Sequence, residues 1–232
     1  MYEAERQSSF FTTGGLAAVH VEDRSKQGIW NGFKNKETYA TSGPQILLWF
    51  DLITTSETFP MGSKVNLEKN PVFEVKAVGS FKQKPGCPDF GLSANDNARL
   101  KKICGGECFN PSNERRNITR IEVIKITPQN YNDEPVDELI EDTWKVFDCK
   151  PSQDGCKIRF SDREFQRNGR DSVYYVRAIE EPSLRVNGDN LRCEYDDQGN
   201  CIKVNICHGS YLTDRKDDCV SLSEERAWSS PI

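Results

Sequence analysis

The sequence predicts a mainly β fold, in which a β-sandwich-like C-terminal domain follows a short βα segment. From residue 45 onward, many short runs of strand-forming residues are separated by turn residues, which is typical of a sandwich. Before residue 45, one strand pattern is followed by one helical pattern, and this pair does not belong to that series. We therefore predict a terminal βα segment at residues 1–44 and a disulfide-stapled β-sandwich-like domain at residues 45–232.

The first predicted strand covers residues 16–21, a short and mostly apolar run (LAAVHV). Such a run is typical of a strand that is covered on both faces, as in a parallel sheet. His20 and Glu22 lie two residues apart at its end, so both side chains can point the same way. In an αβ barrel that end often faces the active site, so both are candidate barrel-mouth residues. Packing or a hydrogen bond is the ordinary alternative for His20.

The helix predicted next begins at Ser25, whose hydroxyl can accept a hydrogen bond from a free amide of the first turn. Its large apolar residues fall on one stripe at helical spacing: Ile29, Trp30 and Phe33. Gly28 and Gly32 are four residues apart, which would let another backbone approach closely. The alternative is that they only weaken the helix, by roughly 1 kcal/mol each.

The predicted strands of the sandwich follow from residue 45 onward: 45–53, 71–81, 120–127, 144–148, 156–160, 170–179, 191–195 and 201–206. The alternation slips at Val123–Ile124, which predicts a β-bulge. We expect 144–148 to pair with 156–160, and 170–179 to lie centrally because it is apolar on both faces. The last two strands form a hairpin that would place Cys193 and Cys201 opposite each other across the ladder.

Nine cysteines indicate an oxidising compartment, because several are closely spaced and flanked by turn residues. Reduced structural thiols and metal binding are the alternatives. The N-terminus has no apolar h-region of a signal peptide, which is expected if another part precedes this sequence. We predict an exported protein, periplasmic or extracellular. The expected bridges are Cys149–Cys156, Cys193–Cys201 and Cys207–Cys219, with Cys87, Cys104 and Cys108 sharing one more.

Composition argues against two classes of partner. The formal net charge is −5, so there is no basic field to attract nucleic acid. No window approaches the ~20 apolar residues of a membrane span, and the longest apolar run, 46–53, has the length of a strand.

The chain shows no motif for catalysis or cofactor binding. It has two histidines, His20 and His208, with no His-x-His pair, whereas a catalytic zinc usually needs three or more protein ligands. It has no nucleophile elbow, phosphate loop or dinucleotide fingerprint. Two acidic stretches, 133–142 and 196–197, are interpreted as surface structure, with a calcium site as the alternative. We therefore predict no catalytic, cofactor-binding or metal-ligating residue in this chain.

The segment GGLAAVHVEDRSKQGIWNGFKNKETYATSGP (residues 14–44) resembles the closing part of the barrel in a family of large exported bacterial proteins of unknown function. That family is similar to the polymerase-and-histidinol-phosphatase (PHP) type of metal-dependent hydrolases. Further matches are NITRIEVIKITPQ, GRDSVYYVRAIEEPS, LRCEYDDQGNC and the closing ERAWSSPI.

This resemblance implies that the βα segment is a remnant of an α/β barrel that precedes this chain and holds a divalent metal. The family's metal ligands lie in His-x-His, carboxylate and Asp-x-His motifs earlier in the barrel, and no position here matches them. The chain would then be the non-catalytic C-terminal portion of a PHP-like hydrolase, a phosphoesterase by analogy. It would support the barrel, its expected partner, or shape the mouth of the active site.

Two other functions are open. The chain could be a stand-alone exported β-sandwich binding module that uses the long polar segment 82–117 for a ligand. It could also be a cysteine- or metal-dependent enzyme in its own right, which the sparse ligands disfavour.

Overall fold

The computed structural model describes residues 14–89, 98, 108–207, 212–214 and 216–232. Within these ranges the chain is mainly β, with one six-stranded sheet, one four-stranded sheet and three two-stranded ones. The elements in chain order are β1 (Leu16–Val19), α1 (Lys26–Lys34), β2 (Thr38–Thr41), β3 (Leu47–Ile53), β4 (Thr58–Pro60), β5 (Val72–Val78), β6 (Phe81–Gln83), β7 (Pro111–Arg115), β8 (Ile118–Ile126), β9 (Ile140–Asp148), β10 (Cys156–Ser161), α2 (Phe165–Asn168), β11 (Val173–Glu180), β12 (Ser183–Val186), α3 (Gly188–Arg192), β13 (Cys193–Tyr195), β14 (Cys201–Val204), β15 (Val220–Ser223) and β16 (Arg226–Ser229).

The six-stranded sheet has the order β1-β2-β16-β11-β8-β9, and every neighbouring pair is antiparallel. The central position predicted for residues 170–179 is confirmed, because β11 pairs with β8 on one side and β16 on the other. The predicted bulge is confirmed as well, since the register between β8 and β9 shifts between Val123 and Lys125.

The four-stranded sheet has the order β10-β5-β3-β4 and shows the clearest alternation. Phe73, Val75 and Ala77 of β5 are fully buried, whereas Glu74 and Lys76 lie on the other face. Side chains alternate across a strand with a period of two, so this pattern fixes which face of β5 meets the core.

The two larger sheets share one hydrophobic core, which makes the arrangement a sandwich. Phe50 and Phe73 of the four-stranded sheet and Val123, Tyr174 and Val176 of the six-stranded sheet belong to a single cluster of buried residues. The rings of Phe73 and Tyr174 meet across the interface with centroids 4.8 Å apart. Their tilted packing is a favourable geometry for aromatic pairs.

A buried polar cluster also connects the two sheets. Asp162, directly after β10, is completely buried and accepts hydrogen bonds from Tyr174 Oη at 2.7 Å and from the Glu164 amide at 2.9 Å. Lys125 Nζ of β8 lies 2.8 Å from the same carboxylate. Burial raises the pKa of Asp162, but the hydrogen bonds from Lys125 and Tyr174 outweigh it, so this pKa lies below its usual value. We call Asp162, Lys125 and Tyr174 the polar clamp.

One expectation about strand pairing was wrong. β9 does not pair with β10: β9 lies beside β8 in one sheet and β10 beside β5 in the other, and the Cys149–Cys156 disulfide joins them. The acidic stretch 133–142 lies mostly at the surface, as turns and the start of β9.

The 191–206 hairpin forms with Gly199 at φ 81°, the left-handed conformation expected there. Cys193 and Cys201 are not directly opposite, because Cys193 faces Val204 and Cys201 faces Tyr195. Their disulfide therefore runs diagonally across a register shift.

Candidate domain-docking surface

Strand β1 forms one end of the six-stranded sheet, and within the described residues only β2 is bonded to it. The prediction of a strand covered on both faces in a parallel sheet was therefore wrong. β1 is antiparallel to β2, and Leu16 is 44% exposed. Its sequence, LAAV, contains no charge or proline to protect the edge from pairing with another strand. Within the described ranges, the outer edge of β1 therefore has no strand partner and has the backbone geometry that accepts an added strand.

Strand β2 lies between β1 and the C-terminal strand β16. It pairs with β1 on one side and with β16 on the other. The Ser42 hydroxyl accepts a hydrogen bond from the Arg226 amide at 2.9 Å and donates one to Glu225. The boundary predicted at residue 44 does not separate two sheets, since β1 and β2 extend the sheet that carries the sandwich core.

Helix α1 begins as predicted. The Ser25 hydroxyl accepts from the Gly28 amide at 3.0 Å, and Asp23 accepts from the Ser25 amide at 2.7 Å. The hydrogen bonds with Ser25 lower the pKa of the Asp23 carboxyl below its usual value. A carboxylate before the first turn also suits the positive end of the helix dipole.

The helix packs on β1 through glycine. Gly32 is the buried residue of α1, and a Cβ there would lie 2.6 Å from both the His20 carbonyl oxygen and Val19 Cγ2. No side chain fits that space, so Gly32 lets the helix backbone lie directly on the strand. The close approach expected from the glycine spacing is confirmed at this position.

The opposite face of α1 is apolar and exposed. Ile29 is 38% exposed, Phe33 50% and Trp30 64%. Aromatic side chains present about 150–250 Å² each, so Trp30 and Phe33 together expose roughly 250 Å². Covering that area would contribute about 6 kcal/mol before the costs of association. We define the docking surface as the outer edge of β1 with Leu16, which no described strand pairs with, together with Ile29, Trp30 and Phe33.

His20 and Glu22 both lie beside this surface, in a polar pocket of about 300 Å³ that Asp23, Asn31 and Glu37 also line. His20 Nε2 lies 2.8 Å from the Leu48 carbonyl oxygen. A carbonyl can only accept, so Nε2 carries the hydrogen of this bond. The ring also packs 5.4 Å from Tyr39 and 5.7 Å from Trp49. His20 thus has the hydrogen bond and the packing that the ordinary interpretation expects.

Four disulfides lie among the described residues: Cys87–Cys108, Cys149–Cys156, Cys193–Cys201 and Cys207–Cys219. The last three are the pairs expected from the spacing of the cysteines, and Cys87–Cys108 is the bridge that was left open among Cys87, Cys104 and Cys108. Cys104 and His208 lie outside the described residues. Four disulfides fit an oxidising compartment rather than the cytoplasm.

One group of acidic and cysteine side chains is compact enough to resemble a metal site among the residues that the structure describes. Cys207, Asp217 and Cys219 place their ligand atoms within 4.8 Å of one another. The two sulfurs form a disulfide, so they are not thiolates and do not provide a metal-ligating pair. Over the same described ranges, no helix is both long and apolar enough to span a membrane.

Residues 2–82 match a family described as "Protein of unknown function (DUF3604)". The match covers about a third of the chain and includes the docking surface and the strands through β5. The match continues past residue 44 into the first strands of the sandwich. No curated protein and no solved structure matches the chain.

Proposed function

We propose that this chain is the non-catalytic C-terminal portion of an exported PHP-like metal-dependent hydrolase, a phosphoesterase by analogy, and that its docking surface binds the preceding α/β barrel. The observation that carries the proposal is the orientation of α1. The helix buries its glycine face against β1 and presents Trp30 and Phe33 outward. Aromatic residues are enriched in protein interfaces, and two that are exposed side by side suit an interaction site.

The shape of the docking surface suits a barrel domain in particular. A barrel is built from strands that each precede a helix, and β1 precedes α1 in the same order, although β1 is antiparallel to the β2 strand that follows. The free edge of β1 can accept a strand, while the aromatic face of α1 can pack on a neighbouring helix. The resemblance of residues 14–44 to the closing part of a PHP-like barrel supports the same partner.

In this proposal the barrel holds the divalent metal, and this chain positions or completes the mouth of the active site. Among the residues that the structure describes, the compact group of Cys207, Asp217 and Cys219 does not fit a metal centre, because its two sulfurs are bridged, and His20 Nε2 already bonds to Leu48. Glu22 and Asp23 lie in the pocket next to the docking surface, where they would face the barrel. The four disulfides support a periplasmic or extracellular location for the whole protein.

The test begins with the DNA directly upstream of the codon for Met1, which should encode a polypeptide with a His-x-His motif. That polypeptide, produced separately under oxidising conditions, should bind this chain, and sedimentation should show a one-to-one complex. Trp30→Lys should weaken the complex by at least tenfold, because a charge replaces a ring that the complex would bury.

A matched control is available in Tyr131, which is 62% exposed and lies far from α1 in the sequence. Tyr131→Lys should leave the affinity unchanged. An upstream sequence without His-x-His would contradict the hydrolase assignment. A complex that tolerates Trp30→Lys as well as Tyr131→Lys would contradict the docking surface.

A further inference from the structure

A second pocket lies on the sandwich and has apolar walls. Its volume is about 430 Å³, within the range of small-molecule sites. Leu52 and Phe73 of the four-stranded sheet form its floor and are 3% and 0% exposed. Val65 and Leu67 on one side and Ile232 on another complete the apolar lining and pack against the core.

The wall of this pocket is rigidly supported. Tyr174 lines it, and the polar clamp holds the Tyr174 hydroxyl at 2.7 Å from Asp162. Ile232 is tied to Tyr174 by two backbone hydrogen bonds of 2.9 Å, and the Gly62 amide donates to the Pro231 carbonyl at 2.9 Å. These bonds fix the two chain segments that face each other across the pocket, so its shape is preformed.

The pocket is lined by more positive than negative side chains. Lys36 and Lys64 are the positive ones and Asp171 is the negative one. The two lysines come from adjoining backbone segments, because Gly62 packs so closely on the Lys36 carbonyl that no side chain would fit there. Within the part of the chain that the structure describes, neither lysine forms an ion pair. Two lysines from adjoining segments, neither in an ion pair within the described ranges, therefore border this apolar pocket.

We propose that this pocket binds a small amphipathic anion, with an apolar body between Phe73, Leu67 and Ile232 and an acidic group at Lys36 and Lys64. Burial of the body supplies the affinity, and the lysines set its direction and favour an anion over a neutral or cationic analogue. This site is separate from the docking surface, and its test does not depend on the proposed hydrolase.

The probes are decanoate, decanol and decylamine, each titrated calorimetrically below its micelle concentration or, for decanol, below its solubility limit. Decanoate should bind most tightly and decylamine least. Exposed ion pairs contribute little individually, so decanoate should exceed decanol by about tenfold or less. In the double variant Lys36→Gln, Lys64→Gln, decanoate should fall to the affinity of decanol, while decanol should be unaffected.

Three further variants separate the possible causes of a change. Lys84→Gln removes an exposed lysine elsewhere and should leave all three affinities unchanged. Leu67→Trp should fill the pocket and abolish binding of both decanoate and decanol, with an unaltered circular dichroism spectrum showing that the chain is folded. Trp30→Lys should leave binding intact, which excludes adsorption to the docking surface.

Equal affinity for decanoate and decylamine would overturn the role of the lysines. Absence of binding by every probe, or binding that survives Leu67→Trp, would overturn the site itself.

Discussion

Replacing Asp162 with alanine should destabilise the protein strongly, because it removes the centre of the polar clamp. The carboxylate accepts from Tyr174 at 2.7 Å and lies 2.8 Å from Lys125 Nζ, whose side chain is only 6% exposed. Without Asp162 the nearest carboxylate to that ammonium is Glu141, 4.0 Å away. Leaving a buried charge without its partner typically costs about 3–5 kcal/mol, so Asp162→Ala should lower the free energy of unfolding by about that amount.

The assay is urea unfolding under non-reducing conditions. It compares the free energy of unfolding of wild type, Asp162→Ala, Asp162→Asn and Asp148→Ala, and the comparison requires that their m-values agree. Asp162→Asn keeps an acceptor for Tyr174 and should cost less, about 1.5–3 kcal/mol. Asp148 is exposed at the end of β9, so Asp148→Ala should change stability by less than about 0.5 kcal/mol.

The pH dependence gives an independent check on the clamp. The pKa of Asp162 is lower in the folded protein than its ordinary value of 3.8, so its contribution is complete above that value. It is lost as the pH falls through the folded-state pKa. The difference between wild type and Asp162→Ala should therefore shrink in strong acid. A loss below about 1 kcal/mol at neutral pH, or a difference that stays constant into strong acid, would refute the reasoning.

Three further predictions concern other parts of the fold. Burial raises the pKa of Glu180 above its ordinary 4.5, so the free energy of unfolding should fall as the pH rises from 4.5 through the folded-state pKa. Glu180→Gln should abolish this decrease in urea titrations at several pH values, and a decrease equal to that of wild type would contradict the prediction. Gly32→Ala should lower the free energy of unfolding by about 1–2 kcal/mol in the same assay, because the added Cβ would lie 2.6 Å from His20 and Val19. This loss should exceed the gain of about 1 kcal/mol that alanine brings to a helix. A stabilised variant would show that α1 does not lie on β1. Removing the Cys149–Cys156 bridge, with a separation of 7 residues, should cost about 2.5 kcal/mol by the loop-entropy estimate, and thermal unfolding unchanged by the double serine variant would contradict that bridge.

Local pattern was enough to predict much of the sandwich. The alternation at Phe73, Val75 and Ala77 defined the core face of β5, because a half-buried strand must repeat every two residues. The slip at Val123–Ile124 revealed a bulge for the same reason. These features depend on a few neighbouring residues, which is the range over which sequence patterns are informative.

Strand partners could not be predicted in the same way. Residues 144–148 and 156–160 are close in sequence and joined by a turn-rich connector, which is the usual signature of a hairpin. They enter different sheets because β9 is paired with β8 and β10 with β5. That choice depends on residues far away in the chain, and the alternation of the two segments is compatible with either arrangement.

The docking surface was only partly visible in the sequence. The stripe of Ile29, Trp30 and Phe33 was evident, but a helical stripe normally faces the core of its own domain. The glycine spacing was the available signal that α1 would use its other face, since Gly32 is the residue that contacts β1. The polar clamp gave no local signal, because Lys125, Asp162 and Tyr174 are brought together only by the packing of the two sheets.

Hydrogen exchange of the β1 amides tests the central claim most directly. It should be measured by mass spectrometry on this chain alone and on the chain joined to the polypeptide encoded upstream. If the free edge of β1 and the aromatic face of α1 contact a preceding barrel, then peptides covering Leu16–Val19 and Lys26–Lys34 should exchange at least tenfold more slowly in the joined protein. Peptides from the β13–β14 hairpin should be unchanged. Equal exchange of β1 and α1 in the two proteins would contradict the account.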